Sequence, residues 1–290
     1  MRFFKKKTTP YNIQFNHPHR DGTKEDYQKF ILLTYPRSGS YFFTDLLRSH
    51  TNIVAFGGLY GPGKIGFLYP GYPDVSCRQT IEHRDRDTVA FLQKHIFTPF
   101  AENIGAVGFK APHQEQYRSV LTHLESYPDL KVINLHRKNM LDVYISNVIA
   151  NTTQKWHAWS KENVDYVETI GAIQRVRIVE DVSKPILPDD FSISLDFDQV
   201  LHGLRSNKEA IQEFETFFND ERKLIVFYED LIKDKIGEVN RVLEFLNVDS
   251  QELTSRFLKI NTRKKSEIIS NYEELRRKFA GTEWIEFFDE

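Results

Sequence analysis

The sequence predicts an α/β domain in which a parallel sheet is covered by helices on both faces, followed by a helical C-terminal part. Three observations carry this reading. Short apolar runs of strand length, such as Phe30-Ile-Leu-Leu-Thr34 and Lys131-Val-Ile-Asn-Leu135, are near-continuous, as strands buried on both faces require. Longer segments with apolar residues at helical spacing separate these runs. The two types alternate along the chain, which is the pattern of parallel strands joined by crossover helices.

Residues 1–28 are polar and broken by Pro10, Pro18 and Gly22, so they read as an arm lying on the domain. Phe30–Thr34 is too short and apolar for a helix and reads as the first strand; Tyr35-Pro-Arg-Ser-Gly-Ser40 is a turn-rich loop, and Tyr41–Arg48 follows at helical spacing. Asn52–Phe56 reads as a strand, Gly57 to about Tyr72 as a Gly/Pro/aromatic loop, and Thr88–Phe97 as a helix with Val89, Leu92 and Ile96 on one face. Ala106–Lys110 is a strand, Gln114–Ser126 a helix, and Lys131–Leu135 a further strand. Asn139–Ala150 carries Leu141, Tyr144, Ile145 and Val148 at i, i+3, i+4 and i+7, an amphipathic helix. After a polar stretch from 151 to 195, Asp198–Phe218 reads as a long helix and Leu224–Tyr228 as the last strand, with helices at 236–246, 251–258 and 272–279. No repeat or linker interrupts 29–290, which is therefore expected to be one domain.

Composition narrows the functional classes. The 290 residues suffice for a large core without crosslinks, since a domain of this size buries roughly 75% of its unfolded surface. Hydrophobic residues make up 40% and charged residues 28%, which argues against disorder. Thirty-nine Lys and Arg against 41 Asp and Glu leave a net charge of −2, without the basic excess expected of a protein that coats nucleic acid. The lone Cys77 excludes an internal disulfide and a thiolate-rich zinc site, and fits a reducing compartment. Lys5-Lys6-Lys7 lacks the apolar stretch that would make the start a signal peptide, and no run approaches the ~18 apolar residues of a spanning helix. A cytoplasmic location is expected.

The loop after the first strand suits an anion. In an open parallel sheet, ligands sit at the carboxyl ends of strands, where helix N-termini offer unpaired N–H groups. Gly39 allows close approach of the backbone, Ser38 and Ser40 supply hydroxyl donors, and Arg37 supplies a fork matched to phosphate oxygens. Taken alone, the pentapeptide is equally a turn that caps a helix with Ser40. A nearby segment, Gly58-Leu-Tyr-Gly-Pro-Gly-Lys64-Ile65, matches most of the Walker A pattern, but Ile65 replaces the magnesium-binding hydroxyl and no helix follows. A second anion site is suggested where His136-Arg-Lys-Asn139 leaves a buried strand. Arg137 emerges there at the same sheet edge, and Ser146 lies about two and a half turns on, near the face of Arg137.

At this point the sequence resembles the PAPS-dependent sulfotransferases, with most likeness to bacterial carbohydrate-type members. Pro36-Arg-Ser-Gly-Ser40 is similar to their 5′-phosphosulfate loop, and Arg137 with Asn139, Asp142 and Ser146 to their 3′-phosphate motif. Phe227-Tyr-Glu-Asp-Leu231, and Lys265-Ser266 with Ile269-Ser-Asn-Tyr-Glu-Glu-Leu275 and Gly281-Thr-Glu-Trp284, resemble later family motifs, so the likeness spans residues 31 to 284 in order. The resemblance implies a P-loop-like fold, the co-substrate 3′-phosphoadenosine 5′-phosphosulfate, the product adenosine 3′,5′-bisphosphate, and metal-free transfer of the sulfuryl group to an acceptor. Arg37, with the N–H groups of Gly39, Ser40 and Tyr41, would then stabilise the leaving 5′-phosphate. Arg137 and Ser146 would hold the 3′-phosphate, and Arg263-Lys-Lys265 with Ser266 would close over the nucleotide.

The general base is where the chain departs from this pattern. Bacterial relatives commonly place Glu after the second strand, and Gly58 stands there in Phe56-Gly-Gly58-Leu59. His113, just past a strand end, is a candidate base with an ordinary pKa near 6.5, and Lys110 could steady the bridging or sulfuryl oxygens. His50 is a weaker candidate that reads as a helix C-terminal cap, and a carboxylate elsewhere or the absence of a working base remain open. His17-Pro-His19 and Glu82-His-Arg-Asp85 contain ligand types but read as surface, so no metal is expected. The aromatic loop 57–72 and Trp156-His-Ala-Trp159 suit a carbohydrate or another small-molecule acceptor, or equally core packing. A nucleotide-binding protein with lost catalysis, and a P-loop kinase using Gly58–Lys64, are the competing readings.

Overall fold

The computed structural model describes residues 22–61, 65–66, 78–112, 115–160, 176–179, 181, 183–218 and 220–289. Five strands form one parallel sheet: β1 (Gln28–Thr34), β2 (Ile53–Gly58), β3 (Ala106–Pro112), β4 (Lys131–His136) and β7 (Lys223–Phe227), in the order β2-β3-β1-β4-β7. This is the α/β sheet that the alternation of runs predicts. The apolar residues of β1 divide by period two, as a pleated strand must. Phe30 and Leu32 join α1 (Ser40–Arg48) and α8 (Lys235–Phe245) in one core, with Phe43, Leu46, Leu47, Val239, Val242 and Leu243. Ile31 and Leu33 join α3 (Thr88–His95) and α4 (Glu115–Leu124) in the other, with Phe91, Leu92, Tyr117, Val120 and Leu121. Gly108 of β3 pairs with Phe30, and a Cβ there would overlap the Phe30 carbonyl and ring, so only glycine lets that ring lie across the strand.

A third core lies beyond the sheet. Leu141, Ile145 and Ile149 of α5 (Met140–Thr153) pack with Val200 and Leu204 of α6 (Phe197–Glu215), Ile268 of the short α9 (Lys265–Ile268), and Leu275 and Phe279 of α10 (Tyr272–Phe279). These helices form the helical C-terminal layer. Among the described residues no helix is long and apolar enough to cross a membrane.

The structure departs from the sequence expectations in four places. The expected helix at 251–258 is instead an extended segment: Ser160 N–H donates to Arg256 O at 2.8 Å and Leu258 N–H to Ala158 O at 2.8 Å, so its backbone pairs with β5 (His157–Ser160). β5 in turn pairs in parallel with β6 (Val176–Val179), inside a stretch too polar to read as strands. Tyr228, expected to close the last strand, opens α7 (Tyr228–Lys233), where Glu229 and Asp230 suit a helix first turn. Arg78–Arg86 forms α2 with no apolar stripe; its buried Arg84 donates to Leu59 O at 2.9 Å and Gly61 O at 3.1 Å and pairs with Asp85.

Candidate functional site

The loop leaving β1 has the backbone that its glycine and turn residues require. Arg37 and Gly39 both sit at positive φ, 66° and 89°, and Gly39 immediately precedes α1 with no side chain capping the helix. The ring of Tyr228 lies where a Gly39 side chain would be. The N-terminus of α1 therefore stands at the carboxyl edge of the sheet, where a helix start suits an anion. Ser38 is fully buried in this loop, and its hydroxyl has no hydrogen-bond partner among the described residues.

Two guanidinium groups converge here from adjacent strands. Arg37 donates from Nε to Ser146 Oγ at 3.0 Å and from Nη1 to Trp156 O at 2.9 Å, and no carboxylate pairs with it among the described residues. Burial, and next the charge of Arg137, hold its pKa below the ordinary arginine range. Arg137, at the end of β4, reaches back to Arg37 O at 3.4 Å. Unlike Arg37, it is neutralised: Asp142 Oδ2 lies 3.1 Å from Nη2 and Glu229 Oε1 3.6 Å from Nε. Asp142 and Ser146 stand one turn apart on α5, so a single helix face presents a carboxylate to Arg137 and a hydroxyl to Arg37. The sequence reading put Ser146 beside Arg137; the structure puts its hydroxyl on Arg37.

The Tyr-Glu-Asp run of α7 holds this arrangement from a third strand. The Tyr228 ring stacks under the Arg137 guanidinium at 5.0 Å. Glu229 accepts from Lys138 N–H at 2.9 Å and Asn139 N–H at 3.5 Å, and Asp230 accepts from Lys138 Nζ at 2.6 Å. Asn139 caps α5 by accepting from Asp142 N–H and donates to Phe287 O, which ties the loop to the C-terminal layer. Lys265 approaches from that layer, its Nζ 3.8 Å from Asp142 Oδ1 and 2.9 Å from Asp289 O. Ser266 follows it on α9 and is exposed, whereas Arg263 turns away to Asp189 O and Phe191 O.

Beside the loop lies an aromatic and basic wall. Lys110, buried on β3, places its ammonium 3.6 Å from the centre of the Tyr41 ring. His157 lies against the same ring at 3.9 Å, and Phe257 at 5.8 Å completes the group. Gly58 ends β2 opposite Lys110 across a register shift, so no carboxylate stands at that position. His113 lies outside the described residues, as do residues 62–64 of the Walker-like segment; Ile65 of that segment is fully buried in the core. His50 is a structural crosslink: its Nε2 bonds Asp249 O at 2.8 Å and its Nδ1 accepts from Asn52 N–H at 3.0 Å.

Sequence reasoning missed two supports of the site. Asp45, buried on α1, accepts from Ser255 Oγ, from Arg256 N–H and from both arms of the Arg256 guanidinium, the nearest contact at 2.6 Å. That clamp secures the extended segment carrying Phe257. Tyr35 is the second, its hydroxyl bonded to the main chain of Arg137. Neither pairing has a local signal, because the partners stand more than 100 residues apart.

Residues 27–290 match the family model of the sulfotransferase domain. The chain is 25% identical over 267 residues to Nodulation protein H of Rhizobium meliloti (strain 1021), covering 90% of this chain and 95% of that protein. Among solved structures, it matches the mouse sulfotransferase SULT7A1 complexed with PAP, with a TM-score of 0.36 and 17% identity, over 80% of this chain and 62% of that one. A sulfotransferase from Alicyclobacillus acidocaldarius matches with a TM-score of 0.45 and 13% identity, over 89% of this chain and 93% of that one.

Proposed function

The chain belongs to the sulfotransferase domain family, and on that premise we propose that it uses 3′-phosphoadenosine 5′-phosphosulfate to sulfate a hydroxyl group of a carbohydrate or other small molecule. The observation that supports the donor is the pair of guanidinium groups at one sheet edge beside a buried serine hydroxyl that has no hydrogen-bond partner among the described residues. Such a set fits a ligand with two phosphate-like groups. Arg37, Ser38 and the N–H groups of Gly39, Ser40 and Tyr41 would bind the 5′-phosphosulfate. Arg137 and Ser146 would bind the 3′-phosphate, Ser146 also orienting Arg37 through its hydrogen bond, and Lys265 and Ser266 would close the site from the C-terminal layer. We take 29–290 as the catalytic domain and the cytoplasm as its location.

In the reaction the acceptor oxygen bonds to sulfur as the bond from sulfur to the 5′-phosphate oxygen breaks, an in-line displacement that depends on positioning and charge stabilisation. Arg37 and the helix N–H groups would take up the charge growing on the phosphate, and Lys110 that on the sulfuryl or bridging oxygens. His113 would take the acceptor proton. The Tyr41, His157 and Phe257 rings would form one wall of the acceptor site.

Thermal shift separates this reading from its competitors. Adenosine 3′,5′-bisphosphate without metal should raise the melting temperature, since it binds only the folded state. Stabilisation by magnesium-ATP alone would overturn the proposal. Transfer of labelled sulfate to a panel of carbohydrate and phenolic acceptors then distinguishes an active enzyme from a nucleotide-binding relative, which the absence of a carboxylate at Gly58 makes a specific alternative.

A further inference from the structure

Tyr35 is the last residue before Pro36-Arg37, and its side chain is buried, with 5% exposure. The paired register of β1 and β4 ends at Thr34 and Leu135, so the main chain of Arg137 lies beyond the last rung. The Tyr35 hydroxyl supplies what the missing rung would: it donates to Arg137 O at 2.8 Å and accepts from Arg137 N–H. The ring of His136 packs edge-on against the Tyr35 ring, with centroids 6.2 Å apart. Burial pushes the Tyr35 phenol well above its ordinary range, so it stays a donor throughout the working pH range.

The consequence concerns spacing. One phenol joins the residue that precedes the Arg37 loop to the backbone of Arg137, while Arg137 Nη1 reaches Arg37 O. The two guanidinium groups repel each other, and burial first, then the charge of Arg137, lower the pKa of Arg37. Asp142 and Glu229 offset the charge of Arg137 but do not join its main chain to β1, and the Tyr35 hydroxyl supplies that link to the Arg37 loop. We propose that Tyr35 is a positioning residue whose hydroxyl fixes the separation of Arg37 and Arg137, and so selects ligands carrying two phosphates at that separation. This rests on the reading of those two arginines as a bisphosphate site.

The test compares Tyr35→Phe with wild type by calorimetric titration of adenosine 3′,5′-bisphosphate and of 5′-AMP. A ligand that touches both arms depends on their spacing; one that touches a single arm does not. The expected result is about a tenfold loss of bisphosphate affinity with 5′-AMP affinity changed less than about twofold. Equal weakening of both ligands, or an unchanged bisphosphate affinity, overturns the proposal while leaving the bisphosphate site standing. A wild-type protein that binds neither ligand removes the underlying reading and this inference with it. Hydrogen exchange on free wild-type protein checks the same point should the variant not fold: the Arg137 amide, although outside the ladder, should be protected at least about a hundredfold. Unprotected exchange there also overturns it.

Discussion

The Ser146 hydroxyl accepts a hydrogen bond from Arg37 Nε at 3.0 Å, fastening the loop after β1 to the helix after β4. The two arginines of the site are nevertheless held in opposite ways. Each guanidinium lies over an aromatic ring, Trp156 for Arg37 and Tyr228 for Arg137, but Arg37 otherwise rests on a hydroxyl and a carbonyl, whereas Arg137 rests on two carboxylates.

That asymmetry separates binding from stability. Arg37→Ala should weaken adenosine 3′,5′-bisphosphate by about a hundredfold, the loss of charge-assisted hydrogen bonds, and lower the melting temperature less than Arg137→Ala does, because loss of the Ser146 and Trp156 bonds is partly offset by removal of a repulsion. Arg137→Ala should weaken binding similarly and also lower the melting temperature, since Asp142 and Glu229 lose their shared partner. Calorimetric titration and thermal melts of the two variants check both halves.

Asp45→Ala should destabilise the fold by roughly 3 kcal/mol in urea denaturation, because it leaves the Arg256 guanidinium, the Arg256 N–H and the Ser255 hydroxyl without their acceptor. Bisphosphate affinity should change little, since the hydrogen bonds of the Asp45 carboxylate among the described residues go to Ser255 and Arg256. A loss of stability below about 1 kcal/mol would mean that the clamp does not hold this segment.

Gly39→Ala places a side chain on a left-handed residue and against the Tyr228 ring. The backbone alone should cost about 1–2 kcal/mol, and displacement of Tyr228 should also disturb Arg137. Reduced stability together with lost bisphosphate binding is expected; Tyr228→Ala in the same background should restore part of the stability by relieving the overlap.

His136 is buried at the end of β4, its pKa held below the ordinary 6.5 by desolvation, partly offset by Glu215. The unfolded chain therefore takes up a proton first as pH falls through about 6.5. The stability that neutral His136 contributes is complete above that pH and is lost progressively below it, down to the lowered folded value. His136→Gln should flatten the stability–pH curve between pH 7 and 5 in denaturant titrations, and an unchanged slope would remove His136 as its source.

Much of the fold was legible because its signals are local. The runs at Phe30–Thr34, Ala106–Lys110 and Lys131–Leu135 can be buried on both faces only inside a parallel sheet, and the helices between them carry their own apolar stripes. The segment 251–258 misled for the converse reason. Leu253, Phe257 and Leu258 have helical spacing, but β5 offers backbone partners and Asp45 a clamp, and both outweigh a weak propensity. Arg78–Arg86 was missed as a helix because its anchor is one buried charge, Arg84, with no stripe to show it.

By itself the sequence determined the five strands of the main sheet, the helices with apolar stripes between them, and the presence of Arg37, Ser38, Gly39 and Arg137 at strand ends, since chain-local hydrophobic pattern and turn chemistry specify these. Only the tertiary structure decided which side chain meets which. It put Ser146 on Arg37, Tyr35 and Tyr228 on Arg137, and Lys110 and His157 on the Tyr41 ring. Such contacts join residues that lie far apart along the chain, and their partners are chosen by sheet order and by the burial of charge rather than by any spacing in the sequence.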